Sequence, residues 1–368
     1  MAHLLPVQRV SAPPTPRSAG LGPTTHRAAV VAHYSPRCGR GRKPVDRRNT
    51  LLIMIERARA HGLRVRPVSV DETGWDFRVV HAVDDDGVRW VLRAPRRPEV
   101  ARLIDVEARV LEHLRPRLAV ALPDWEIRAA DLVAYRRLPG RPMADEDPLT
   151  LAFDWRAEPT DAFFRALGEV IAELHRTPVA EAARLGVPVS SADQQRAEVA
   201  RQLREARARL PVPAHEVRRW ERWLADDRFW TAETRLVHGD LHFGHTLVDG
   251  SGALVGLLDW TDAAVADPAL DFAAPRLAFG PDGLDRLLGH YAEAGGTVPE
   301  LFGEHIAEHT AFRSSALLGL HGLRLGNPGY VAIARARLAD QDRKRSARTK
   351  SCAVHQELFR DAKNRDCR

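Results

Sequence analysis

One stretch, residues 237–262, constrains the chain more than any other. Two short apolar runs, Leu236–Val237 and Leu254–Leu258, bracket it, and between them lies Asp249-Gly250-Ser251-Gly252, a turn signal. The pattern predicts a β-hairpin, with Asp240 on the loop leading into it and Asp259 at its far end. His245 lies between them. The hairpin therefore gathers a carboxylate, an imidazole and a second carboxylate into a small space. Such a set suits one base plus a metal site for a polyphosphate.

The 368-residue chain has room for two domains or two lobes, and 44% apolar residues can fill a sizeable core. No apolar run approaches the roughly 18–20 residues that a membrane span needs, so no membrane partner is expected. A net charge of +6 points first to nucleic acid. The distribution of charge reverses that reading. Residues 1–48 carry +8 and residues 341–368 carry +5, which leaves −7 for residues 49–340. An acidic body fits a cationic ligand, and no nucleic acid is required. The four Lys (Lys43, Lys344, Lys350, Lys363) all lie in the ends, so any cation needed in the body must be Arg. Cys38, Cys352 and Cys367 lie there too. A catalytic Cys and a disulfide-held core are disfavoured, and a reducing cytoplasm and a monomer are the expectations.

Residues 1–48 are rich in Pro, Arg, Ser and Gly without periodicity, and disorder is expected there and in the basic tail from 341. Asn49 or Thr50 can cap a helix over Leu51–His61, closed by Gly62. Val68–Val70, Trp75–Val83 and Val88–Ala94 read as strands, the last two joined by a turn at Asp84–Gly87. Pro98–Leu114 has helical spacing, Trp125–Ile127 and Leu132–Tyr135 are short strands, and Arg136–Pro142 reads as a linker. Helices follow over Asp161–Arg176, Ala192–Leu210 and His215–Ala225, and after the hairpin near 282–294, 299–324 and 328–340. The fold class is thus α+β: a small β-rich lobe over 49–135 and a larger, mainly helical lobe over 136–340, with a ligand cleft expected between them.

Asp240 and His245 are five residues apart, the interval between Asp and Asn in the kinase loop H-R-D-L-x-x-x-N. His238 and Asp240 match that loop, whereas Gly239 replaces Arg and His245 replaces Asn. Asp259-Trp260-Thr261 stands where D-F-G would. The bland alternative is a polar turn in which Asp240 caps backbone amides. A different chemistry also fits: His238, Asp240, His242 and His245 form a cluster of the kind a zinc hydrolase uses, although His290, His305 and His309 lie on predicted helices whose spacing does not supply further ligands. Arg93 ends a strand and Glu107 interrupts the next helix, an order that suits a phosphate-gripping cation braced by a carboxylate. A surface ion pair fits equally, with Arg96 and Arg97 as rivals. Gly74 sits on the turn between the first two strands, where a loop could cover phosphates. Asp271, in Asp267-Pro268-Ala269-Leu270-Asp271, could bond the backbone of the Asp240 loop and fix its shape.

Together these residues resemble the aminoglycoside phosphotransferase group of kinase-like enzymes. Val-His-Gly-Asp-Leu-His at 237–242, Leu-Leu-Asp-Trp at 257–260, Asp-Pro-Ala-Leu-Asp at 267–271 and Glu-Leu-His-Arg-Thr-Pro at 173–178 carry the resemblance. His245, the strand Arg89–Arg97, Pro123-Asp124-Trp125 and Leu132–Tyr135 resemble the macrolide phosphotransferases within that group. The resemblance covers about 49–340. It implies a two-lobed protein-kinase-like fold and transfer of the γ-phosphoryl of GTP (or ATP) to the 2′-hydroxyl of a macrolide amino sugar, giving antibiotic resistance. It implies Asp240 as base, His245 and Asp259 as Mg²⁺ ligands, Arg93 braced by Glu107 on the phosphates, and the backbone around Ala134, Tyr135 and Arg136 on the purine edge. An aminoglycoside or another alcohol as acceptor, and a nucleotide-binding protein without catalysis, are the alternatives.

Overall fold

A computed structural model describes residues 47–71, 76–147, 151–230 and 233–340. Helix α1 (Arg47–Ala60) precedes an antiparallel sheet of β1 (Val65–Asp71), β2 (Phe77–Asp84), β3 (Arg89–Pro95), β4 (Trp125–Arg128) and β5 (Val133–Arg136), in the order β1-β2-β3-β5-β4. The β2–β3 turn is set by its acid: Asp84 accepts from Val88 N at 2.8 Å and Trp90 Nε1 at 2.8 Å, and Gly87 stands at φ +83°. Side chains of β3 alternate between two buried faces. Trp90, Leu92 and Ala94 pack with Met54 and Ala58 of α1. Val91 packs on the other face with Val100 and Ile104 of the helical segment that follows β3. Arg93 shares parity with Val91, so the pleat aims it at that second face. The segment forms α2 (Pro98–Ala101) and α3 (Ile104–Leu114), and α3 carries Glu107.

The C-terminal part opens with β6 (Arg141–Pro142) and the hairpin β7 (Ala144–Glu146) and β8 (Phe153–Trp155). Helices α4 (Asp161–Arg176), α5 (Val179–Arg184), α6 (Ala192–Arg209) and α7 (Ala214–Ala225) follow. Thr160 caps α4 by accepting from Phe163 N at 3.1 Å, and Ser191 with Gln194 forms a capping box on α6. Four short strands come next: β9 (Arg235–Val237), β10 (Thr246–Val248), β11 (Leu254–Leu257) and β12 (Ala264–Ala266). The chain then forms α8 (Leu270–Glu293), α9 (Phe302–Phe312), α10 (Leu318–Leu325) and α11 (328–340). The main core lies where Phe163, Leu167 and Ile171 of α4 meet Phe272, Leu287 and Tyr291 of α8 beneath the β10–β11 hairpin. A second core joins Trp220 and Trp223 of α7 to Phe312 and Leu320.

The expected division into a β-rich part and a mainly helical part holds, as does the central hairpin. Asp249 Oδ1 closes that hairpin by accepting from Ser251 N at 2.8 Å and Ala253 N at 3.1 Å. Several boundaries move. α1 begins at Arg47, so Asn49 and Thr50 lie inside it and do not cap it, and Thr50 is buried. The helix expected over Pro98–Leu114 breaks at Arg102–Leu103, with Val100 and Ile104 on either side of the break covering the sheet and the later turns of α3 joining the main core. The expected linker contains a strand, because Arg141 and Pro142 pair with Val248 and Leu247 of β10. Leu236–Val237 pairs with β12 and not within the hairpin. The helix near 282–294 starts at Leu270 and breaks at Gly280, φ +71°. The helix expected over 299–324 loosens into a π-helical turn over Arg313–Leu317. Gly74, Trp75 and the two basic ends up to residue 46 and from residue 341 lie outside the described residues. No described helix is long and apolar enough to cross a membrane.

Candidate active site

The loop from β9 to β10 carries Asp240 and is shaped from behind by a buried acid. Asp271, fully buried near the start of α8, accepts from Gly239 N at 3.0 Å, His238 N at 3.1 Å and His175 Nε2 at 3.2 Å. This is the bracing role expected for it. Gly239 stands at φ +81°, and a Cβ there would lie 2.4 Å from the Asp262 carbonyl oxygen, so the bend before Asp240 requires glycine. Two further bonds tighten the turn: His242 N donates to Asp240 O at 2.9 Å and His245 N to His242 O at 3.0 Å.

Hydrogen bonds fix the tautomers of the histidines, and the tautomers separate ligand from scaffold. His238 Nδ1 accepts from Asp240 N at 3.3 Å, so Nε2 carries the proton it gives to Leu258 O at 3.1 Å. Both nitrogens are used, and burial pushes the ring down to about 4, so it is neutral scaffold. His242 Nδ1 accepts from Gly244 N at 3.1 Å, which leaves an Nε2–H lying 3.8 Å from Asp240 Oδ2. His245 is the reverse case. Its Nδ1–H donates to Asp240 O at 3.1 Å, which leaves Nε2, 3.8 Å from Asp259 Oδ2, as the nitrogen that can present a lone pair. An imidazole that donates one N–H to a carbonyl and presents the other nitrogen is the form a metal ligand takes.

Asp259, Arg93, Glu107 and Thr261 close the site from the other side. Arg93 Nη1 donates to Glu107 Oε1 at 2.7 Å, Arg93 Nη2 lies 3.6 Å from Asp259 Oδ1, and its guanidinium carbon sits 4.1 Å above the Phe77 ring. Burial alone would depress Arg93, but Glu107 and Asp259 outweigh it and raise it. Burial raises the Glu107 carboxyl against the pull of Arg93. A guanidinium does not deprotonate, and a neutral Glu107 would leave it as a buried unpaired charge, so the pair is ionic. Burial opposes ionisation of Asp259 as well, yet Arg93 and the two bonds from Thr261 hold it far below the usual carboxylate range. The rival cations are occupied elsewhere: Arg96 donates to Phe77 O at 3.2 Å and Arg97 pairs with Asp76 at 2.5 Å. Arg93 and Glu107 therefore meet Asp259, and His245 links Asp259 to Asp240, whose Oδ2 is 3.5 Å from His245 Nδ1.

Ala134 and Tyr135 are placed differently from the rest. Both are buried in β5, between β3 and β4, with backbone partners on both sides. Burial pushes the Tyr135 phenol up to about 12 against the field of Arg93. Three groups escaped the reading of the sequence. Thr261 bonds the Asp259 carboxylate, as set out below. Burial and the neighbouring Asp240 and Asp259 charges push Asp262 well above the carboxylate range. Burial lowers Arg313, on the π-helical turn, against the fields of Asp240 and Asp262. Thr261 and Asp262 follow Asp259-Trp260 directly and could have been weighed. Nothing local marks Arg313.

Among the described residues, two clusters have the composition of a metal site: Asp240 with His242 and His245, and Asp267 with His305 and His309. Only one imidazole of the first, His245, offers a lone pair. In the second, Trp223 Nε1 donates to His305 Nδ1 at 2.9 Å, so His305 Nε2 is protonated and donates to Asp267 at 2.7 Å. The helices thus bring together His305 and His309, which the sequence did not, but as a hydrogen-bonded tie. A three-ligand zinc site at either place would require these bonds to be broken. A harder cation shared by Asp259 Oδ2 and His245 Nε2 fits: two donors 3.8 Å apart both reach an ion at about 2.1 Å. The apolar residues of the C-terminal helices serve packing: Phe272, Leu287, Leu288, Tyr291 and Phe302 are core, and Leu277 and Phe279 are half-buried against it.

A family model described as the phosphotransferase enzyme family matches residues 67–308. The uncharacterized protein YcbJ of Bacillus subtilis (strain 168) is 40% identical over 259 residues, 69% of this chain and 85% of that protein. Among solved structures, a macrolide 2′-phosphotransferase type I is 38% identical with a TM-score of 0.71, covering 81% of this chain and 99% of its own. The apoenzyme of macrolide 2′-phosphotransferase MphH from Brachybacterium faecium is 35% identical with a TM-score of 0.69, covering 79% and 98%. The GDP complex of an aminoglycoside 2′-phosphotransferase is 20% identical with a TM-score of 0.65, covering 81% and 100%, and shows likeness of fold alone.

Proposed function

Because the chain belongs to the phosphotransferase enzyme family, we propose that it moves the γ-phosphoryl of a purine nucleoside triphosphate, GTP before ATP, to the 2′-hydroxyl of the amino sugar of a macrolide. The kinase-like α+β fold and the phosphotransferase class come with the family. The observation that carries the specific reading is the His245 tautomer beside Asp259 and Asp240, in a chain 35% and 38% identical to two macrolide 2′-phosphotransferases.

In this reading Asp240 accepts the proton of the acceptor hydroxyl. The hydroxyl oxygen bonds to the γ-phosphorus while the bond from that phosphorus to the β–γ bridging oxygen breaks, and a nucleoside diphosphate leaves. Asp259 and His245 would hold Mg²⁺, which when bound offsets the charge of the phosphate oxygens. Arg93 holds the phosphates, kept in place by Glu107. Ala134 and Tyr135 use their backbone within the sheet, and Arg137 N donates to Arg89 O at 2.8 Å, so we assign the purine edge to the segment that follows, residues 138–140. The acidic body favours the tertiary amine of a macrolide, and inactivation in the cytoplasm would give resistance.

The test is nucleotide consumption with Mg²⁺ across panels of macrolides, aminoglycosides and simple alcohols, with mass analysis of the products. Addition of one phosphate to a macrolide supports the reading. A folded protein that phosphorylates only aminoglycosides, or nothing, overturns it. GTP and ATP compared at equal concentration decide the donor.

A further inference from the structure

Thr261 ends the Asp259-Trp260-Thr261 segment without an assigned role, yet its hydroxyl touches three charged groups at once. Oγ1 is 2.6 Å from Asp259 Oδ1, 3.2 Å from Glu107 Oε2 and 3.4 Å from Arg93 Nη2. A hydroxyl has one proton to give and lone pairs to receive. The shortest contact takes the proton, so Thr261 donates to Asp259 and accepts from Arg93. Thr261 N adds a second bond to the same oxygen at 3.3 Å. Asp259 Oδ1 is thus held by the protein, and Oδ2 is the oxygen turned to His245 Nε2. Asp259 itself stands at φ +57°, a conformation that costs a non-glycine residue about 1–2 kcal/mol and that these two bonds offset.

We infer that Thr261 is a positioning residue. Its hydroxyl selects which oxygen of Asp259 faces the cation and ties that choice to the Arg93–Glu107 pair, so the cation site is complete only when β3, α3 and the segment after β11 are in contact. The inference rests on the proposed reading of Asp259 and His245 as cation ligands. It assigns the cation-site geometry to a side chain that is not itself a proposed cation ligand and that acts through Asp259, Glu107 and Arg93.

The test uses the full-length protein and Mn²⁺ as the probe, detected by electron paramagnetic resonance in the presence of GDP or ADP. Calorimetry measures nucleotide binding without metal. Thr261→Val, Thr261→Ala and Thr261→Ser are compared with wild type after their thermal midpoints are recorded. Loss of a group that orients a ligand weakens metal binding by roughly ten-fold or more, so Val and Ala variants should lose about that much while Ser stays within about two-fold of wild type. Metal-free nucleotide affinity should be unchanged throughout. If Thr261→Val does not fold, Thr261→Ala carries the comparison, since it removes the same hydroxyl. Mn²⁺ affinity equal to wild type in the Val or Ala variant overturns the inference. So does a Ser variant as weak as Ala, which would assign the effect to lost methyl packing. If wild type with either nucleotide fails to bind Mn²⁺, the ligand reading of Asp259 and His245 fails first, a result distinct from either of these.

Discussion

Replacing Asp271 with Asn isolates the brace behind the Asp240 loop. The wild-type carboxylate accepts three hydrogen bonds while fully buried: Gly239 N on Oδ1, and His238 N with His175 Nε2 on Oδ2. Asn keeps one oxygen. With that oxygen on Gly239 N, its NH₂ faces the His238 N–H, donor against donor. His175 can adapt by exchanging tautomers, because its Nδ1 lies 3.0 Å from the Tyr291 hydroxyl, which can accept as well as donate. The backbone amide cannot adapt. One buried unmet donor costs about 1–3 kcal/mol, and loss of charge assistance on the remaining bond adds about 1 kcal/mol. A total near 3 kcal/mol corresponds to a drop of roughly 5–10 °C in the thermal midpoint of a chain this size. The assay is thermal and denaturant unfolding, paired with hydrogen exchange at Gly239 and Asp240. Exchange there should speed up more than exchange in α6, on the far side of the second core. A midpoint within about 2 °C of wild type, or a uniform rise in exchange, would refute the view that Asp271 holds this loop.

Four other outcomes are expected. Asp240→Asn should lower phosphoryl transfer by roughly 10²–10⁴-fold with nucleotide binding retained, and equal losses of both would remove it as the base. Arg93→Met leaves Glu107 buried without its partner and should destabilise by about 3–5 kcal/mol in denaturant unfolding, whereas Arg93→Lys should recover most of that; equal effects would contradict the ionic pair. His238 and His309 are both held by burial at about 4, below the ordinary 6.5. Between those values the unfolded chain binds protons that the folded one refuses, so stability is full above about pH 6.5 and falls as the pH drops toward 4, by up to about 3 kcal/mol per group. Unfolding midpoints at pH 7.5, 6 and 5 measure this, with His309→Gln expected to decline less steeply. Finally, a site with one imidazole should accept Mn²⁺ at least as well as Mg²⁺, and His245→Asn should move the preference toward Mg²⁺ in metal titrations of the nucleotide complex.

What the sequence revealed followed local physics. The Asp249 turn and the α4 periodicity each depend on neighbours within a few residues, and both stand where the pattern put them. The Asp240–His245 interval was legible for the same reason. The misplaced features depend on distant partners. Nothing near Arg102 announces that Val100 and Ile104 pack on the sheet while Val110, Leu111 and Leu114, further along α3, join the main core. Arg141–Pro142 looks like a linker because its β pairing is with Leu247 and Val248, about a hundred residues on. Arg93 could not be told from Arg96 and Arg97 by composition, only by strand parity once the sheet was laid down. The histidines show the same limit most sharply. Residue type grouped His238, His242 and His245 together, whereas ligand capacity turned on which ring nitrogen each backbone amide or carbonyl had already claimed.

The pairing of β6 with β10 has a mechanical consequence. The connection from the β-rich part is stitched to the strand that starts one residue after His245. A change in angle between the five-stranded sheet and the hairpin must therefore be absorbed outside this stitch and outside the bonds that tie Ala121 to Val255 and Leu257 of β11, while His245 and Asp259 travel together as one rigid jaw. The opposing jaw carries Arg93. The 3.6 Å gap from Arg93 to Asp259 is then the caliper of closure: it widens when the parts swing open, and the spacing from His245 to Asp259 does not.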